Sequence, residues 1–452
     1  MNTQHHSFVP PESAIVLGLG SSGEAAARLL RRSGARVMIA DTGSGDVLEA
    51  KAQSLRAEGC SVRLVSRDLP DGHFDLVVVS PGIAIADPWV EALRARGVKV
   101  ISELELGWRA CRSRVLAVTG SNGKSTLVKL CREALEAGGC TAVAGGNYGI
   151  PLSALACLDP APDWAVVEVS SFQLEAVEQF APEVGILLNL NPNHLDRHGT
   201  MEIYTAMKAR LFARMKEEHT AVIHETASDA IRAALPDRCR VSSFGLTKEA
   251  LYRYRKGFIE SSELEIPVSV EGTAFDNEVM GVTAAACVAA VVSGGAPARG
   301  VTEAARAFER LPHRMQTVAT VRGVTFVNDS KATNLAALSA GVRMACGPVR
   351  LIAGGLLKES DLETVKKILV NRVRAVYIIG KYSRVMADAW QDAVSCVTCE
   401  DLKQAVNRAW KDSQSGEVIL LSPGCASFDQ FKSFEDRGDQ FSSFVRVIQQ
   451  GE

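Results

Sequence analysis

The stretch Thr119-Gly120-Ser121-Asn122-Gly123-Lys124-Ser125-Thr126 combines glycines, a lysine and hydroxyls in an order that suits phosphate chemistry. The apolar run Val115-Leu116-Ala117-Val118 precedes it, and Leu127-Val128-Lys129-Leu130-Cys131 follows with a helix-compatible pattern. Strand, glycine-rich turn, lysine, hydroxyl and helix together cradle the phosphates of a nucleotide. Backbone N–H groups of the turn and helix N-terminus face the anion, a lysine reaches the β- and γ-oxygens, and Ser125 or Thr126 can ligate Mg²⁺. Val118 stands where the general pattern has its first glycine, so this loop is shorter than usual. The chemistry implied is use of ATP.

A second glycine turn opens the chain. Ala14-Ile15-Val16-Leu17 leads into Gly18-Leu19-Gly20-Ser21-Ser22-Gly23, a helical pattern follows to Leu30, and the next strand, Val37 to Ala40, ends at Asp41. This spacing fits NAD, a different nucleoside diphosphate, or glycines that serve only strand–helix packing. The geometry reads a pyrophosphate at a helix N-terminus and leaves the rest of the ligand open. Further along, Trp164-Ala165-Val166-Val167-Glu168-Val169-Ser170-Ser171 is an apolar strand interrupted by one carboxylate. On a strand beside a phosphate loop, that group is placed to hold Mg²⁺ or its water. The loop Asn191-Pro192-Asn193-His194-Leu195-Asp196-Arg197-His198 mixes cation ligands with basic groups.

These residues need elements to hold them, and composition supplies the material. The 452 residues suggest about three domains, and 47% hydrophobic content is ample for several cores. Lys and Arg (50) nearly balance Asp and Glu (52), so no global charge points to nucleic acid or an acidic membrane. There is no apolar run long enough to insert in a membrane, and the polar start, Met1 to Glu12, does not read as a signal peptide. Eleven scattered cysteines fit a reducing cytoplasm better than a disulfide framework; Cys396 and Cys399 lack the second pair a zinc site needs. Helical stretches alternate with strand-like runs at Leu76–Val79, Val184–Leu188, Thr325–Val327, Arg350–Ala353, Ala375–Ile379 and Glu417–Leu421. The expectation is an α/β protein of three domains, each on a mostly parallel sheet: residues 1–102, a phosphate-loop domain over 103–311, and 312–452. Polar clusters at Asn328–Lys331, Gly354-Gly355, Gly380-Lys381 and Ser422–Gly424 end strands of the last segment and would share one crevice off the sheet's carboxyl edge.

At this point the chain resembles the Mur ligases, and within them the D-glutamate-adding member. The resemblance rests on GLGSSG (18–23), SPGIA (80–84), TGSNGKST (119–126), GGNYGIP (145–151), EVSSFQLE (168–175), NLNPNHLDRH (189–198), LPHRMQTV (311–318), NDSKATN (328–334) and SPGCASFDQFKSFEDRG (422–438). It implies Rossmann-like first and last domains, which bind a UDP-substrate and an incoming amino acid, around a P-loop ATPase. The activity implied is ATP-dependent joining of D-glutamate to UDP-N-acetylmuramoyl-L-alanine through an acyl phosphate, by a monomeric enzyme. By the same resemblance Gly120, Ser121, Asn122, Gly123, Lys124, Ser125, Thr126, Asn277, Arg314 and Asp329 would bind ATP. Gly20, Ser21, Ser22, Asp41, Thr42, Ser80, Gly82, Asn147 and His194 would bind the UDP-substrate, and Thr333, Lys358, Ser427 and Phe434 the D-glutamate. Two Mg²⁺ ions would be held by Ser125 and Glu168 and by His194 and a carbamylated Lys208. Lys124, His194, Lys208 and Arg314 would be the catalytic group.

Two departures from the family pattern stand out. Asp276-Asn277-Glu278-Val279-Met280 keeps one of two expected amides, since Met280 cannot bond adenine as an asparagine would. Around Lys358, Gly354-Gly355-Leu356-Leu357-Lys358-Glu359 lacks an acidic neighbour and a glycine. An NAD-dependent oxidoreductase would leave the whole phosphate loop unused, and a nucleotide switch would leave the polar strand ends of the last segment unused. A sister ligase for another amino acid would differ only in its amino-acid contacts.

Overall fold

The computed structural model describes residues 8–68, 72–358 and 361–451. The first seven residues of the polar start and Glu359 of the altered loop lie outside the described residues. Strands β1 (Ser13–Leu17), β2 (Arg36–Ala40), β3 (Ser61–Arg63), β4 (Leu76–Val79) and β5 (Lys99–Ser102) form one sheet in the order β3-β2-β1-β4-β5. All pairs are parallel; Val16 lies between Ile39 and Val78. Covered on both faces, β1 and β4 are buried throughout, which is why they read as continuous apolar runs instead of alternating ones.

The second sheet contains β6 (Arg114–Thr119), β7 (Ala142–Gly146), β8 (Trp164–Glu168), β9 (Val184–Leu187), β10 (Thr220–His224), β11 (Arg240–Gly245), β12 (Tyr252–Arg255), β13 (Phe258–Glu260) and β14 (Val268–Ser269). Its order is β14-β13-β12-β11-β10-β9-β6-β8-β7, parallel from β7 to β12 and antiparallel over the last three strands. Lys256 and Gly257, both at positive φ, make the two-residue turn between β12 and β13, as a tight hairpin requires. The helix Glu278–Ser293, whose buried residues are mostly Ala and Val, is buried from Met280 to Val291 against this sheet.

Between these two sheets runs the helix Glu103–Ala110, which Ser102 caps by accepting the Glu105 N–H. The Glu105 carboxylate is fully buried and accepts the backbone amides of Glu178, Gln179 and Phe180 (3.0, 3.1 and 3.0 Å) and Nε of Arg109 (2.7 Å). Gly107 presses on the Leu152–Ser153 backbone; a Cβ there would sit 2.5 Å from the Ser153 nitrogen.

The third sheet has β15 (Gln316–Val321), β16 (Val324–Asn328), β17 (Val349–Gly354), β18 (Val373–Ile379), β19 (Ser395–Thr398) and β20 (Val418–Leu421), ordered β15-β16-β20-β17-β18-β19. Only β15 runs antiparallel. The protein is thus a three-domain α/β molecule on mostly parallel sheets. The described chain divides into two compact units: residues through Leu190 with Glu202–Ala307, and Asn191–Met201 with Phe308 onward.

Candidate active site

In the first unit the phosphate loop leaves the carboxyl end of β6 and enters the helix Lys124–Ala137 at Gly123, whose φ of 81° is a left-handed conformation that a side chain would strain. Leu188 lies 3.0 Å from where a Cβ of Gly123 would be. Lys124 Nζ folds back over the loop and donates to the carbonyls of Gly120 (2.8 Å) and Ser121 (3.1 Å). Ser125 Oγ donates to Glu168 Oε2 (2.7 Å), and Asn147 Nδ2 donates to Glu168 Oε1 (2.6 Å). Glu168, buried at the end of β8, therefore brings together a P-loop hydroxyl and an amide from the β7 turn.

The structure adds a clamp that the sequence did not reveal. Asn189, just past β9, accepts the amides of Ser121 (3.1 Å) and Asn122 (2.9 Å) with Oδ1 and donates Nδ2 to the Asn122 carbonyl (3.0 Å). Tyr204 OH lies 3.1 Å from Ser121 Oγ. Thr119 Oγ1 ties the end of β6 to the Val169 carbonyl (2.9 Å).

Lys208 closes this cluster. It lies on the helix Met201–Ala209, is only 1% exposed, and donates Nζ to the Gly120 carbonyl (3.0 Å) and Thr119 Oγ1 (3.3 Å). Its ammonium is 4.7 Å from the centre of the Tyr204 ring. Burial, and then the charge of Lys124, hold its proton affinity well below the ordinary lysine range, and Glu168 only partly offsets this. Two lysines thus share the Gly120 carbonyl, and the buried one is pushed toward the neutral amine.

In the first sheet the three glycines of the turn have three different jobs. Gly18 takes a φ of 90° under Ser80, whose Oγ donates to its carbonyl (3.1 Å). A Cβ on Gly23 would lie 1.8 Å from the Gly18 oxygen, so this position is required for packing. A Cβ on Gly20 would meet nothing within 4 Å. That open side is where backbone can approach a pyrophosphate. Asp41 holds the turn by accepting the amides of Leu19 and Gly43 (both 2.6 Å). Ser21, Thr42 and Gly82 are exposed and Ser22 is half-buried.

In the second unit, Gly354 and Gly355 at positive φ carry β17 into a backbone bridge with Ala426 (Leu356 N to Ala426 O, and the reverse, both 2.9 Å). This links the chain leading to Lys358 with the strand-end turn of Ser427. Thr333 is half-buried, Ser427 buried and Lys358 exposed. Asp329 is buried, accepting Ser422 Oγ (2.9 Å) and the Met315 amide (3.1 Å); burial outweighs Arg314 and Arg310 and raises its pKa to about 7. Phe434 stacks edge-on to His313 and lies under Lys331 Nζ. His194 adopts a φ of 56° and takes Asn193 Oδ1 on its amide; it belongs to the second unit, whereas Lys208 belongs to the first. Asn277 caps the helix Glu278–Ser293, accepting the Met280 amide with Oδ1 (3.0 Å) and donating Nδ2 to the Ala274 carbonyl.

Among the described residues no three His, Cys, Asp or Glu side chains gather as a metal cluster. The Ser125 hydroxyl and Glu168 carboxylate are hard oxygen donors that fit Mg²⁺, and an ammonium at Lys208 does not. All eleven cysteines are free thiols. No helix of the described residues is long and apolar enough to cross a membrane.

Fold and loop together define a phosphate-binding α/β protein of three sheet domains. Three family models match the chain: the Mur ligase MurD-like N-terminal domain over 12–102, the Mur ligase middle domain over 118–291, and the glutamate ligase domain of Mur ligases over 313–425. The chain is 36% identical to the UDP-N-acetylmuramoylalanine–D-glutamate ligase of Acidobacterium capsulatum over 96% of each chain. It is also 36% identical to the ligase of that name from Koribacter versatilis, over 97% of this chain and 98% of the relative. Its fold is similar to that of the Thermotoga maritima MurF ligase in complex with ADP, with a TM-score of 0.61, 16% identity and coverage of 97% of this chain and 96% of the other. The chain belongs to the Mur ligase family.

Proposed function

We propose that the chain joins D-glutamate to UDP-N-acetylmuramoyl-L-alanine with ATP as cosubstrate, in peptidoglycan precursor synthesis. The observation that carries this reading is the cluster in which Ser125 meets Glu168 while Lys124 and the buried Lys208 share the Gly120 carbonyl, in a chain matched over nearly its whole length by ligases of that name. The loop residues Gly120–Thr126 bind the ATP phosphates, with Asn277, Arg314 and Asp329 as further nucleotide contacts. Residues Gly20, Ser21, Ser22, Asp41, Thr42, Ser80, Gly82, Asn147 and His194 hold the UDP-substrate. The domains run over 1–102, 103–311 and 312–452, and the enzyme acts as a cytoplasmic monomer.

A carboxylate oxygen of the terminal alanine attacks the γ-phosphorus, the bond to the β–γ bridging oxygen breaks, and ADP leaves. The D-glutamate amine then adds to the acyl carbon, loses a proton, and the tetrahedral adduct expels phosphate as the amide forms. Both events crowd anions together, so Lys124 and Arg314 offset charge on the transferring phosphoryl group. Bound Mg²⁺, held by Ser125 and Glu168 and by His194 with Lys208, would neutralise phosphate charge. A lysine suits the second set only after its neutral amine adds CO₂ and releases a proton, giving a carbamate with oxygen donors. The burial that lowers the proton affinity of Lys208 supports that step.

The test is incubation of the purified protein with ATP, Mg²⁺, UDP-N-acetylmuramoyl-L-alanine and a panel of D- and L-amino acids. Phosphate release coupled to a new amide should require D-glutamate. Coupled turnover with a different amino acid and none with D-glutamate would overturn the assignment.

A further inference from the structure

Arg437 is wholly buried, at 0% exposure, in the first turn of the helix Phe434–Gly451. A buried guanidinium normally sits against a carboxylate, because an unpaired charge out of water is costly. Here its hydrogen bonds all go to neutral oxygens. Nε donates to Ser330 Oγ (3.0 Å), Nη2 to the Ser330 carbonyl (2.8 Å) and Nη1 to the Cys425 carbonyl (3.1 Å). Asp429 acts on it only through space. The two loops it joins are distant in sequence and adjacent in the sheet, at the carboxyl ends of β16 and β20. Ser330 Oγ in turn donates to the Phe434 carbonyl (2.7 Å), and Cys425 is two residues from Ser427. Arginine's rigid fork suits such a strap, as one planar group fixes several acceptors at set angles.

We infer that Arg437 is a positioning residue for the incoming amino acid: it straps the Ser330 and Cys425 loops so that Ser427 and Phe434 stay in register, and its positive charge, which no carboxylate hydrogen-bonds, favours an acidic acceptor over a neutral one. This rests on the proposed function and on the family resemblance, which puts D-glutamate at Thr333, Lys358, Ser427 and Phe434. The guanidinium touches no reacting atom. Its effect therefore falls on capture of the amino acid and not on phosphoryl transfer.

Steady-state kinetics of full-length Arg437→Lys and Arg437→Met, with D-glutamate and with D-glutamine as the neutral competitor, separate the two contributions. Arg437→Lys keeps charge and loses the fork. It should raise the D-glutamate KM at least about tenfold while kcat and the KM values for ATP and the UDP-substrate move less than about threefold. Arg437→Met loses both, and should also lower the preference for D-glutamate over D-glutamine by about tenfold or more relative to Arg437→Lys. If Arg437→Met does not fold, Arg437→Lys decides the strap, and Arg437→Gln supplies the uncharged comparison. An unchanged D-glutamate KM in a folded Arg437→Lys enzyme, or a fall confined to kcat, would overturn the inference. Failure of the wild type to use D-glutamate would instead overturn the functional reading beneath it.

Discussion

Lys208 in the first unit and Arg437 in the second are both buried cations whose hydrogen bonds go to neutral oxygens. Burial lowers the proton affinity of both, with different outcomes. Burial and the neighbouring Lys124 push Lys208 toward losing its proton, toward the amine form that can react. Burial also lowers the pKa of Arg437, but only to about 10, so it stays charged through the neutral range. A lysine sits where a change of chemical state is useful, and an arginine where permanence is. On the proposed function, the residue type separates a group that is to be modified from a group that only holds.

The strongest way to break this contrast is to exchange the two side-chain types. Lys208→Arg fixes a permanent cation that cannot yield a neutral amine, so ligation should fall by more than about a thousandfold, as it should for Lys208→Ala. UDP-substrate binding, followed by calorimetry, should persist in both. A ¹³C carbamate signal from labelled bicarbonate should appear in the wild type and vanish in both variants; a Lys208→Arg enzyme of wild-type activity would dissolve the contrast. The glycine turn offers a parallel pair, a packing position beside an open one. Gly23→Ala should destabilise by about 3 kcal/mol in denaturant titrations because its methyl collides with the Gly18 oxygen. Gly20→Ala should stay within about 0.5 kcal/mol of wild type and weaken the UDP-substrate about tenfold. Removing the carboxylate beside Lys208 sharpens the picture on the anionic side. Glu168→Gln should cost about a hundredfold in kcat with a raised Mg²⁺ requirement, the fold being retained.

The smallest effect concerns a buried acid. Glu103 accepts the Ser153 amide with Oε1 (2.6 Å), and burial raises its pKa to about 6 from 4.5. Its folded pKa exceeds its unfolded one, so the native state binds the extra proton and stability falls as pH rises from about 4.5 through 6, by up to about 2 kcal/mol. Glu103→Gln removes that dependence. The Tm of the variant minus that of wild type should therefore climb between pH 4.5 and 8 and level off above it; a flat difference would remove Glu103 as a source of the pH response.

Much of this architecture is legible in the chain because chemistry and periodicity coincide. The phosphate loop announces itself by an apolar strand, glycines and a lysine-led helix, and β16, β17, β18 and β20 by apolar runs that two covered faces require. Strands β13, β14 and β19 escape notice because they are two to four residues long and half exposed, and β15 because it is a mostly half-buried antiparallel edge. Side chains that act through the backbone are the hardest to read. Asn189 follows an apolar strand as countless turn asparagines do, and only the fold shows that it clamps two loop amides. Tyr204 looks like an ordinary core aromatic until its hydroxyl is found beside Ser121. Arg437 lies within a motif that resembles the family, but the motif does not say that its guanidinium is dry. Asn277 shows the converse: an amide suited to a ligand is also an excellent helix cap, and sequence cannot rank the two.

The helix Glu103–Ala110 bears on how this protein could be cut into pieces. The apparent seam at residue 102 suggests that the first domain could be excised there. Yet Glu105, on the far side of the seam, terminates three amides of the 178–180 turn, and Gly107 lies flush on Ser153. A fragment beginning after Ala110 would strand those amides and open a groove where the helix lay. A fragment ending at Ser102 would lose Leu106, which is buried in the core of the first sheet. The helix serves both cores, Leu106 in the first and Leu104 with Trp108 in the second, so a cut on either side of it leaves one core incomplete.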